Sequence, residues 1–147
     1  MKTNEELFRV IIEDGFSKGN AAVLNEIAAP DFLEHQSGIV PPNAEGVKRA
    51  IATLHNAFPD FSLTVEELVS HGDTVWGRMT ARGTQRGQIG PLFPTGKPMQ
   101  ITVIDIMRFR EGKLVEHWGV ADRLSMMEQL GMKPPPKFIM KLLSFWH

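Results

Sequence analysis

With no cysteine among its 147 residues, the chain has no disulfide, no thiol nucleophile and no thiolate metal site. Its histidines, His35, His55, His71, His117 and His147, show no metal-ligand spacing, so no metal is expected. The sequence contains no glycine-rich phosphate loop, no Gly-x-Ser-x-Gly elbow and no His-Glu-x-x-His pair. What is left is acid–base chemistry by carboxylates, and one carboxylate stands apart. Along Met99 to Arg110 the residues alternate, so that Ile101, Val103, Asp105, Met107 and Phe109 share one strand face. Asp105 is the only charged residue on that face. An apolar wall disfavours the charged form and raises the pKa towards the range of a working base. A salt bridge to an arginine such as Arg78 or Arg108, or a sheet end open to water, accounts for the pattern equally well.

Glu111-Gly112 reads as the turn of a two-residue hairpin. That turn sets Phe109 opposite Leu114, Met107 opposite Glu116, Asp105 opposite Trp118 and Val103 opposite Val120. Trp118 then shares the Asp105 face, as pocket wall or as plain packing. Glu116 and Asp122 add acid character to the same face. His35 sits in an irregular segment, where an exposed histidine is the commoner reading. Gln85 closes an alternating run on the face of Met79 and Ala81, where its amide meets a ligand or satisfies backbone groups. Phe58 and Phe61 make a helix-to-strand corner, as core or as pocket wall.

These residues need a scaffold of helices followed by strands. Asn4 to Lys18 has helical spacing with acids in its first turn. A short helix is expected over Ala21 to Ala28, ended by Pro30, with residues 31–43 irregular. A third helix runs from Ala44 to Phe58 through Val47, Ile51 and Leu54. Strands follow at Phe61 to Val69, which drifts out of phase at Leu68, then Thr74 to Gln85, Met99 to Arg110 and Lys113 to Asp122. A short helix spans Leu124 to Leu130. This order is α+β, an antiparallel meander covered by helices, and it excludes the alternation of a parallel nucleotide-binding sheet.

A net charge of −1 argues against a nucleic-acid partner. The N-terminus has no signal-type apolar run and no window is long enough to span a bilayer, so a cytoplasmic domain is the default. Residues 1–132 form that domain. Residues 133–147 are a Pro134-Pro135-Pro136 break and a short apolar segment carrying Phe138, Ile139, Met140, Leu142, Leu143, Phe145 and Trp146. This tail is expected to be helical and to cover the pocket mouth or a homodimer contact, ahead of an interfacial membrane contact.

The run FPDFSLTVEELVSHGDTVWGRMTARGTQRG, followed by PTGKPMQITVIDIMRFREGKLVEHWGVADRLSMMEQLG, resembles the SnoaL-like polyketide cyclases of the nuclear transport factor 2-like superfamily. The likeness covers roughly residues 3–132 in order; its most specific pieces are GTQRG, PTGKP, RFREGKLVEHW after Asp105, and Asp122 placed before Leu130-Gly131. The resemblance implies N-terminal helices on a strongly curved antiparallel sheet, forming a cone around a deep apolar pocket. It implies intramolecular aldol condensation without metal or cofactor, with Asp105 as acid/base and His35 as a titratable partner. Members often carry histidine where this chain has Gln85, which cannot titrate near neutral pH.

Two functions follow as expectations. In the first, a polyketide or ester cyclase acts on a small apolar carbonyl compound. Asp105 removes a proton, Gln85 or His35 donates to the enolate oxygen, and Trp118, Met79, Met107, Phe58, Phe61 and Glu116 contact the substrate. In the second, the chain is a non-catalytic ligand-binding or dimerisation module. An arginine clamped on Asp105 would favour the second.

Overall fold

Residues 1–133 and Lys141 are described by the structure, a computed structural model. The chain enters a helix at Asn4 because Thr3 caps it. The Thr3 hydroxyl accepts from the Glu6 amide, and the Glu6 carboxylate accepts from the Thr3 amide at 2.7 Å. Helix α1 (Asn4–Arg9) widens into a π-helical stretch over Val10–Ser17, and Gly19, with φ of 75°, follows its end. Together they bury Leu7, Phe8, Ile11, Ile12 and Phe16. Helix α2 (Val23–Ile27) is a single short turn, and α3 (Ala44–Ala57) starts from Asn43, whose side chain accepts from Glu45 and Gly46 amides.

The strands are β1 (Ala28–Glu34), β2 (Ser62–His71), β3 (Thr74–Thr84), β4 (Pro98–Arg110) and β5 (Lys113–Ala121), with α4 (Arg123–Gln129) after them. They form one sheet in the order β1-β5-β4-β3-β2. Glu111 and Gly112 both have positive φ, as a tight hairpin turn between β4 and β5 demands. The helices cover the inner face. Gly77 is the clearest sign of that packing: a side-chain carbon there would lie 2.4 Å from the Phe8 ring. Its absence lets the Phe8 ring close on the sheet with no exposure, a burial that stabilises by about 1.5–3 kcal/mol.

Two expectations need correction. The sheet is mixed, because residues 28–34 form a strand that runs parallel to β5. Pro30 and Asp31 suit an edge better than a strand centre and hide the element, yet Ala29, Phe32 and Glu34 turn inward on it. The second correction concerns register. Phe109 pairs with Leu114 as the turn requires, but Arg108 pairs with Glu116, which leaves Val115 as an extra residue in β5. Beyond this bulge Met107 faces His117, Ile106 faces Trp118 and Asp105 faces Gly119. Asp105 stays on the inner face, whereas Glu116 and Trp118 turn to the outer one. The phase drift at Leu68 has the same cause, a bulge at Glu66 between the Val65–Met79 and Glu67–Arg78 pairs. The apolar segment after residue 133 lies outside the described residues, apart from Lys141.

Candidate active site

Three buried ionisable side chains meet where β1, β5 and β4 run side by side. Asp105 faces inward from β4, beside Met107 and Ile101, and is 4% exposed. His117 comes from β5, brought inward by the Val115 bulge. Glu34 is the last residue of β1, registered opposite His117 by the parallel pairing, with the His35 amide donating to the His117 carbonyl at 2.9 Å. The contact between His117 Nδ1 and Glu34 Oε2 is 2.7 Å. Glu34 Oε1 accepts from the Gln36 amide at 2.7 Å, so both carboxylate oxygens are held.

His117 Nε2 lies 3.4 Å from Asp105 Oδ1, within ion-pair range, yet neither atom has a hydrogen-bond partner and both are buried. Burial is the largest influence on His117 and pulls its pKa down. The charge of Asp105, the hydrogen bond to Glu34 and the charge of Glu34 together outweigh burial and push it up to about 10. The surroundings of His117 therefore favour its charged form, with an acidic side chain on either side of the ring.

The arginines are engaged elsewhere. Arg78 pairs with Glu67 at 3.0 Å, and Arg108 with Glu116 at 2.6 Å on the outer face. The partner of Asp105 is a histidine that sequence reading did not select. A signal for it was present: Leu114 and Val115 are adjacent apolar residues, both buried, and break the alternation of a strand.

The other expected residues separate into two groups. His35, Glu116 and Trp118 lie on the outer face, away from Asp105. There His35 stacks on Trp118 at 4.6 Å and 6°, and its Nε2 contacts Glu116 at 2.8 Å. Arg108 covers the Trp118 ring from 5.4 Å. The face that Trp118 and Glu116 were expected to share with Asp105 is lost to the bulge. Met79, Met107, Phe58 and Phe61 are buried in the core beneath the helices. Gln85 is fully buried, and its amide is committed: Nε2 donates to the Leu92 carbonyl at 3.2 Å and Oε1 accepts from Thr95 at 2.8 Å. Of the three expected catalytic residues, the structure brings neither His35 nor Gln85 into contact with Asp105.

Among the described residues no helix is long and apolar enough to cross a membrane. An open groove of about 820 Å³ runs past Asp31, Asp73, Arg108, Arg110 and Glu116 at one end of the sheet, and Asp105 does not line it.

Comparisons with known proteins place this architecture. A model of the SnoaL-like polyketide cyclases matches residues 6–130, and the chain belongs to that family. The solved structure of wild-type IdmH from Streptomyces antibioticus is 31% identical, with a TM-score of 0.78 over 89% of this chain and 100% of that one. TsrD from Streptomyces laurentii is 28% identical, with a TM-score of 0.77 over 86% and 93%. A SnoaL-like polyketide cyclase from Agrobacterium tumefaciens, 20% identical with a TM-score of 0.72 over 89% and 100%, shares the fold. The search of curated proteins returned no match.

Proposed function

We propose that the chain is a cofactor-independent acid–base catalyst acting on a small apolar carbonyl compound, with Asp105 as the base. One observation carries this reading: Asp105 faces inward, is buried, and keeps an oxygen with no hydrogen bond, set against the His117 ring and not under an arginine clamp. The carboxylate takes a proton from the carbon next to a carbonyl. The resulting enolate carbon attacks a second carbonyl of the same molecule and forms the ring bond, and the new alkoxide recovers the proton from Asp105. An isomerisation uses the same first step and returns the proton to a different carbon. Folding both ends of the substrate together in one site supplies the proximity. The family match supports cyclisation over other carbonyl chemistry.

The experiment is deuterium uptake at the carbon beside the carbonyl of acetophenone, 1-tetralone and a 1,3-diketone, followed by proton NMR in D2O. The wild-type chain is expected to accelerate uptake for at least one of them, and Asp105→Asn to remove the acceleration while circular dichroism stays unchanged. Acceleration for none of the three, or acceleration kept in the variant, overturns the reading.

A homodimer is the second part of the proposal. Val69, Trp76, Ile104 and Val120 are all exposed on the outer sheet face, and Trp76 and Ile106 are cross-strand neighbours there. An apolar patch of this kind on a sheet face suits a second copy of the chain.

A further inference from the structure

Abstraction of a proton beside a carbonyl leaves negative charge on oxygen, and that oxygen needs a donor. Gln85 is committed to Leu92 and Thr95, and His35 lies on the outer face. We propose that His117 is the donor, through Nε2–H, and that Glu34 is its positioning residue. The assignment rests on the reading of Asp105 as base.

Geometry supports it in three ways. The Nδ1 contact with Glu34 at 2.7 Å fixes the plane of the ring and points Nε2 at the Asp105 side. Glu34 is itself fixed, since its other oxygen takes the Gln36 amide. His117 Nε2 and Asp105 Oδ1 then face one another at 3.4 Å as an ion pair with no hydrogen bond, so each keeps its hydrogen-bonding capacity for a third group. An enolisable ketone offers what these two atoms lack: a C–H for the carboxylate and an oxygen for the N–H. The charged groups facing the ring are Glu34 from β1 and Asp105 from β4; Glu116 and Arg108 belong to the outer face.

The proton balance closes without a co-reactant. The substrate proton moves to Asp105, which becomes neutral as the enolate becomes negative. His117 keeps its own proton and donates only a hydrogen bond. After the carbon–carbon bond forms, Asp105 returns its proton to the new alkoxide.

The test has a spectroscopic arm and a kinetic arm, both on the full chain. Long-range proton–nitrogen spectra of the 15N-labelled wild type at pH 7 should show His117, identified by its loss in His117→Gln, with both ring nitrogens protonated. Glu34→Gln should lower the pH at which that pattern disappears, and Glu34→Asp should restore part of it. In deuterium uptake, His117→Gln should lose on the order of a hundredfold, the scale of one removed oxyanion donor. Glu34→Gln should lose less. A neutral ring with a bare Nε2 in the wild type overturns the assignment without any variant. Uptake unchanged in His117→Gln overturns it as well, even where Asp105→Asn is inactive. Uptake retained in Asp105→Asn removes the base reading, whatever the state of His117.

Discussion

Gly119 lies directly across the β4–β5 ladder from Asp105, and the missing side chain is what the site is built around. A carbon added at Gly119 would sit 2.1 Å from Gln36 Oε1 and 2.7 Å from Asp105 Oδ1. Gln36 and Asp105 therefore converge on the same small space above one glycine. Gly119→Ala should force both to move. The expected cost is roughly 1–3 kcal/mol of stability, the usual penalty of overpacking. Urea unfolding reads the stability, and deuterium uptake should fall with it. An unchanged midpoint would show that the loop carrying Gln36 yields freely.

The raised pKa of His117 makes stability depend on pH in a defined sense. A group whose folded pKa lies above its unfolded value binds its proton more tightly when folded, and so stabilises the fold while it is charged. The contribution is fully present below the ordinary value of 6.5 and is lost as pH rises towards about 10. The urea midpoint of the wild type should fall across that window. In His117→Gln the slope should flatten, and a wild-type midpoint that stays level from pH 7 to 10 would reject the charged ring.

Gln85 ties down the loop of residues 86–97. Besides its side-chain bonds, its amide donates to the Lys97 carbonyl at 3.0 Å and its carbonyl accepts from Gly96 at 2.9 Å. Gln85→Ala keeps the backbone bonds, including the Ile89 amide on the Leu92 carbonyl, but removes that carbonyl's second donor and the acceptor of the Thr95 hydroxyl. A loss of about 1–3 kcal/mol is expected, together with faster amide exchange in the loop. Hydrogen exchange at Gly96 and Lys97 measures it, and wild-type protection in the variant would show that the side chain is dispensable there.

The outer sheet face offers a separate check. Trp76→Glu places a charge among exposed apolar neighbours without touching the core, since Trp76 is 52% exposed. Sedimentation should show the wild type as a dimer and the variant at half that mass. Equal masses would remove this face as the contact.

Much of the frame was legible in the sequence, and the failures are local. Strict alternation marked β3 and β4, and the Glu111-Gly112 turn joined β4 to β5 correctly for its first two pairs. The alternation rule holds only while each strand contributes one residue per step. Val115 breaks that rule with no glycine or proline to announce it, so every residue beyond it was assigned to the wrong face. That one step exchanged Trp118 for His117 in the candidate site. Glu34 was invisible for a different reason. Its strand is recognisable only from its parallel neighbour β5, which lies far along the chain, and nothing local to Ala28–Glu34 encodes that pairing.

That distance governs when the site can exist. Glu34 and His117 are 83 residues apart, and the parallel β1–β5 contact joins an early part of the chain to a late one. Loop closure over such a span is entropically costly and slow compared with local hairpins. During synthesis Glu34 leaves the ribosome long before its partner and waits, hydrated, at an unfinished sheet edge. The buried trio cannot be complete until β5 is in place, and a chain stalled before β5 holds Glu34 and Asp105 but lacks the His117 between them.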